Sequence, residues 1–151
     1  MSDVKGEPLP ATVTFRLGVL GAMAGDRFAE AVKPYGIKPK HAGVMAILGD
    51  EQAASQQELA TRMGVAPSLM VSLVDRLEAL DAVRRVRDPK DRRRQVLTLT
   101  AEGRELLERC ARAARALDEE LLAALTVAQR AALGRALEAL AGAAGLPADG
   151  A

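Results

Sequence analysis

Aromatic side chains are almost missing: the 151 residues hold one tyrosine, two phenylalanines and no tryptophan. A core without them must be built from alanine, leucine and valine, and since alanine is the strongest helix former, the composition points to a helical chain. Histidine and cysteine occur once each, as His41 and Cys110. One of each cannot form a metal set, and Asp/Glu pairs alone are nonspecific, so neither a metal nor a cofactor is expected. A lone cysteine cannot close an internal disulfide, which fits a reducing compartment. No apolar run approaches the roughly 20 residues that span a bilayer, and no basic-then-apolar leader opens the sequence. The expectation is a cytoplasmic protein with no membrane partner. Nucleophile elbow, phosphate loop and dinucleotide fingerprint are absent as well, so catalysis is not expected.

What the chain does have is a concentrated charge. Seven of the eleven residues from Arg84 to Arg94 are basic and two are acidic, although the whole molecule carries a formal charge of only +1. Asp88-Pro89 initiates a turn, and Leu97 and Leu99 alternate with Thr98 and Thr100 as a half-buried strand does. The basic residues therefore belong on or beside a hairpin tip. The molecule as a whole is close to neutral, so this basic centre points to a focused anionic partner instead of general adhesion to polyanions.

The order of elements gives the hairpin its context. Residues 1–10, with Gly6, Pro8 and Pro10, read as a loose tail. Phe15, Leu17, Leu20, Met23, Ala24, Phe28, Ala31 and Val32 recur at helical spacing until Pro34-Tyr35-Gly36 stops them. Pro39 opens a second helix that ends near Gly49-Asp50. Ser55-Gln56-Gln57-Glu58 is a capping box for a short helix through Met63. Gly64-Val65 makes a turn, and Ala66-Pro67 opens a helix whose buried stripe is Met70, Leu73, Val74, Leu77 and Leu80. Two short helices joined by a glycine-containing turn form a helix-turn-helix pattern. After the hairpin, a long helix from Thr100 carries Leu106, Leu107, Cys110, Ala113, Ala114, Leu117, Leu121 and Leu122. Thr126 caps a last helix that Gly142 and Gly145-Leu146-Pro147 break. The first and last helices have broad Ala/Leu faces that do not enclose a bundle by themselves, and a partner chain would help to bury them.

Four strings in this order resemble the MarR family of winged helix-turn-helix regulators: Ser55-Gln56-Gln57-Glu58-Leu59-Ala60, Val74-Asp75-Arg76-Leu77-Glu78, Asp88-Pro89-Lys90-Asp91-Arg92-Arg93 and Leu99-Thr100-Ala101-Glu102-Gly103. Each is weak alone; together, with matching gaps over about residues 12–142, they are specific. The resemblance implies a mainly α fold with a small β-hairpin wing. Residues 37–100 would form the winged helix-turn-helix, and 11–36 with 101–146 a helical dimerisation region. It further implies a homodimeric, sequence-specific transcription regulator, a repressor released by a small aromatic or phenolic effector, bound to a pseudo-palindromic site on double-stranded DNA with half-sites about 34 Å apart. The alternative is a winged-helix interaction module whose basic wing meets an acidic protein.

On this reading the groove-facing residues of the recognition helix, Ala66 to Leu80, are those off its buried stripe: Pro67, Ser68, Leu69, Val71, Ser72 and Arg76. Leu69 and Val71 cannot hydrogen-bond a base edge; they either meet thymine methyls or pack on the preceding helix or wing. In the family's wing an aspartate steadies the arginine two residues on as it enters the minor groove, which maps onto Asp91 and Arg93. Lys90, Arg92, Arg94, Gln56 and Arg62 would then meet phosphates. The resemblance also implies a ligand crevice, for which Arg16, His41 and Met45 are the candidate liners. His41 would otherwise be a partly exposed surface histidine. Some relatives switch through a cysteine near the first helix, where this chain has none.

Overall fold

The computed structural model describes residues 6–146. The tail expected at 1–10 falls partly outside them, as does Pro147; within the described part, Leu9–Ala11 form a single 3-10 turn. Helix α1 spans Val13–Val32 and begins where the Thr12 hydroxyl accepts the Phe15 N–H. A short 3-10 turn, Lys33–Tyr35, ends at Gly36, whose φ of 74° is a left-handed conformation that glycine adopts without strain. Helix α2 spans Pro39–Glu51, α3 Gln56–Met63 and α4 Pro67–Ala79. The α3 start is the reciprocal box that the sequence indicates: the Glu58 N–H donates to the Ser55 hydroxyl and the Ser55 N–H to the Glu58 carboxylate, both at 3.1 Å.

Strands β1, Val83–Arg87, and β2, Gln95–Leu99, pair antiparallel with Val83 opposite Leu99 and Arg87 opposite Gln95. Ala54, between α2 and α3, adds a bridge to Leu97 on the other edge of β2, a third backbone partner that no sequence pattern announced. Helix α5 spans Ala101–Leu121 and α6 Val127–Ala143.

The hinge between the hairpin and α5 explains the Leu-Thr-Ala-Glu-Gly string. The Thr100 N–H donates to the Ala82 carbonyl, and its hydroxyl caps α5 at Gly103 while also donating to the Asp81 carbonyl. Helix α5 thereby starts so close to β1 that a Cβ on Gly103 would lie 2.0 Å from the Ala82 oxygen. Only glycine fits such an approach.

The core is a cluster of aliphatic side chains from α2, α3, α4 and the hairpin, among them Val44, Leu48, Leu59, Met70, Val74, Leu77 and Leu97. Leu106 and Cys110 join it from α5 and Val32 from the end of α1. Beyond that the terminal helices bury little: α1 contributes Val32 alone to the fully buried set and α6 contributes none. No described helix is long and apolar enough to cross a membrane.

Candidate nucleic-acid interface

Helix α4 divides cleanly into two faces. Met70, Leu73, Val74 and Leu77 are buried, while Pro67, Ser68, Leu69, Val71 and Ser72 are exposed along one side. Leu69 and Val71 are 36% and 41% exposed, so neither packs away against the preceding helix or the wing. Ala66 at the N-cap supplies no side-chain bond to the first turn, which leaves the helix start with polar N–H groups and the positive end of its dipole facing outward.

Arg76 departs from the expectation. Its Nε donates to the Gly36 carbonyl at 3.0 Å, which turns the guanidinium toward the α1–α2 connector and away from the exposed N-terminal face. Position 76 stands one turn beyond Ser72 on the same side of α4, so it is the bond to Gly36, not the phase of the helix, that directs the guanidinium to the connector.

The wing tip is held by its own aspartates. Asp88 Oδ1 accepts the Lys90 N–H at 2.9 Å, Asp91 Oδ1 accepts the Arg93 N–H at 3.1 Å, and the Asp88 N–H donates to the Arg94 carbonyl at 2.9 Å. Asp91 therefore holds Arg93 through its backbone N–H and leaves the guanidinium without a bond from this carboxylate. This is the local bond that Asp makes in turns. Among the described residues, Lys90, Arg92 and Arg93 have no carboxylate within ion-pair distance, and all three are exposed.

Three expected phosphate ligands are already engaged. Arg94 is paired with Glu58 of the α3 capping box and lies 3.8 Å from Asp88. Arg62 is paired with Glu51 and donates weakly to the Gly145 carbonyl. The Gln56 amide oxygen accepts from Arg85 at 3.3 Å. Together with Ser55, Gln57, Thr61 and Gln95, most of these residues line an open cleft of about 770 Å³ between α3 and the wing.

Arg85 is the residue that sequence reasoning missed. From β1 it reaches Asp75 at 3.1 Å and pairs with Glu78, both on α4, as well as Gln56 on α3. One half-buried guanidinium thus joins the wing to both helices of the helix-turn-helix. The spacing of Asp75 and Glu78, which puts two carboxylates on one helical face, was the available signal.

The candidate ligand liners do not gather in the single chain. Met45 is fully buried in the core, because its face of α2 carries Val44 and Leu48 inward with it. Arg16 is exposed on α1 and donates to the Pro10 carbonyl. His41 is buried, not at the surface, and its Nδ1 accepts the Lys38 N–H at 2.8 Å, closing the N-terminus of α2. Burial, and then the charge of Arg76, holds its pKa below the ordinary histidine value. Cys110 is buried too, and desolvation raises its thiol pKa against the opposing pull of Arg109. Such a thiol is a weak nucleophile.

An α-helical pair presenting one exposed face, followed by a two-stranded basic wing, defines a winged helix-turn-helix protein. The MarR family profile matches residues 35–94. The HTH-type transcriptional repressor Rv2887 of Mycobacterium tuberculosis is 32% identical over 130 residues, covering 86% of this chain and 94% of the relative. Its solved complex with salicylic acid superposes with a TM-score of 0.72 at 31% identity, over 86% of this chain and 96% of that one. CouR from Rhodococcus jostii, solved with p-coumaroyl-CoA bound, superposes at 0.76 with 26% identity, over 92% and 96% of the two chains. The chain belongs to the MarR family of transcriptional regulators.

Proposed function

We propose that this protein is a homodimeric repressor that binds a pseudo-palindromic DNA site and leaves it when an aromatic acid or its thioester binds. The observation that carries the reading is the adjacency of two exposed surfaces of complementary use. The N-terminal face of α4, with Ser68, Leu69, Val71 and Ser72, has the width of a major-groove reader, and the wing extends Lys90, Arg92 and Arg93 beyond it. Ser68 and Ser72 supply hydrogen bonds to base edges, and Leu69 and Val71 supply apolar contact suited to thymine methyls. Arg93 enters a narrow minor groove, where negative potential is concentrated, and Lys90 and Arg92 meet phosphates.

Dimerisation is supported by the terminal helices, whose Val13, Leu20, Val127 and Leu140 side chains are more than half exposed in one chain. Regulation is supported by the relatives solved with salicylic acid and p-coumaroyl-CoA. A ligand seated between the helices of two chains would act by favouring a dimer geometry that no longer fits the groove spacing.

Gel shifts with the DNA upstream of the protein's own gene, across a salt series and with salicylate added, test the reading. A retarded complex that weakens steeply with salt and is released by salicylate or a related aromatic acid is expected. Absence of any shifted species, with sedimentation as a monomer, would contradict it.

A further inference from the structure

The recognition helix packs chiefly on α2, α3 and β1, all within the winged domain. Its Arg76 side chain reaches outside that set. Arg76 of α4 bonds the Gly36 carbonyl at 3.0 Å, and a Cβ on Gly36 would stand 2.7 Å from the Arg76 Nη2, so the guanidinium lies directly against that glycine. Gly36 closes the 3-10 turn through which the end of α1 passes into α2. Its neighbour Tyr35 in the same turn carries the Arg109 guanidinium of α5 over its ring, 4.3 Å from the centroid. This is an ordinary cation–π distance. The recognition helix, the connector and the long terminal helix are thus joined in series by two arginines gripping adjacent residues.

Both grips are suited to transmitting position. The Arg76 bond is charge-assisted and goes to a backbone carbonyl, so it reports the path of the connector independently of any side-chain rotamer there. The left-handed φ of Gly36 strains any larger residue there, and a Cβ at that position would have to push the Arg76 guanidinium aside. By contrast, Arg94 pairs with carboxylates of the winged domain itself, and Arg62, paired with Glu51, touches the terminal region only through a long 3.5 Å bond to the Gly145 carbonyl just past α6.

We infer that Arg76 is a positioning residue, not a DNA contact: through Gly36, Tyr35 and Arg109 it sets where the recognition helix stands relative to α5. The functional meaning of that spacing rests on the DNA-binding reading above, but the coupling itself is a property of the free protein.

The test separates the two. Spin labels at Ser72→Cys on α4 and Asp118→Cys on α5, in a Cys110→Ala background and diluted with unlabelled protein so that one labelled chain occurs per assembly, report the α4–α5 distance within one chain. A single narrow distribution is expected for the parent. Arg76→Ala and Tyr35→Leu should each broaden or shift it, and Tyr35→Phe, which keeps the ring, should restore the parental distribution. Unchanged distributions in both disrupting variants would overturn the inference, and so would equal broadening by Tyr35→Phe. A DNA titration adds a second reading: the salt slope of Arg76→Ala should equal that of the parent, whereas a slope lower by about one would make Arg76 a phosphate ligand and overturn the proposal. If the parent binds no DNA, the functional reading fails while the distance measurement still decides the coupling.

Discussion

The winged domain and the terminal helices use similar aliphatic residues to opposite effect. Residues 37–99 close a core in which Val44, Leu48, Met70 and Leu77 are inaccessible to water. The terminal helices leave Val13, Leu20, Val127 and Leu140 at 70%, 60%, 86% and 54% exposure. At roughly 25 cal/mol per Å² of buried apolar surface, leaving so many such side chains in water forgoes several kcal/mol. The contrast teaches that the winged domain closes its core in a single chain, whereas the terminal helices leave an apolar surface that the proposed dimer would cover. The exposed surface of the winged domain on α4 and the wing is instead mostly polar or charged, with Leu69 and Val71 as its apolar members.

Breaking the apolar faces should have the largest effect. Leu20→Glu combined with Leu140→Glu should raise the dimer dissociation constant by about a hundredfold or more, since a carboxylate buried without a partner costs several kcal/mol; sedimentation equilibrium measures it. The winged domain should keep its helical circular dichroism under the same change. Gly103→Ala attacks the other side of the comparison. A methyl 2.0 Å from the Ala82 carbonyl must displace β1 or α5, so denaturant unfolding should show a loss of about 3 kcal/mol.

Smaller effects separate residues within the DNA-facing surface. Arg93→Ala should weaken specific binding by about tenfold to a hundredfold, as the loss of one groove contact does. Glu58→Gln should act in the opposite direction. Glutamine keeps the capping box, but Arg94 loses the nearer of its two carboxylates, keeping only Asp88 at 3.8 Å, and is freer to meet phosphate, so affinity should rise a few-fold with a steeper salt slope. Anisotropy titrations across salt concentrations resolve both.

The smallest predicted effect concerns pH. Burial and the nearby Arg76 depress the pKa of His41, so the folded state favours the neutral ring, whose Nδ1 accepts the Lys38 N–H. The stability this contributes is present above the unfolded value of about 6.5 and is lost as pH falls below it. Charged Lys38 and Arg76 both oppose protonation there. Thermal unfolding followed from pH 7.5 to 5.5 should show a steeper decline for the parent than for His41→Gln.

Much of the architecture was legible because its boundaries are written in local chemistry. Ser55, Thr100 and Thr126 cap the helices they precede, and Pro39 and Pro67 stand in the first turns of theirs. The basic tip was legible for the same reason, its turn being made by Asp88 and Asp91 within the tip itself. What was not legible depends on contacts distant in sequence. Arg76 turns toward Gly36, forty residues away, and Arg85 finds Gln56 twenty-nine residues away. The Ala54–Leu97 bridge is equally remote. Met45 had the periodicity of a helix face but no signal that its face pointed into the core.

The most direct test of a chain complete in its reading surface and incomplete in its terminal helices is sedimentation velocity of the full protein mixed with a duplex from upstream of its own gene. Two protein chains per duplex, with the Leu20→Glu, Leu140→Glu variant failing to form that species, is the predicted result. A monomer that leaves the duplex sedimenting alone, or that binds it with one chain as tightly as the parent, would contradict the account.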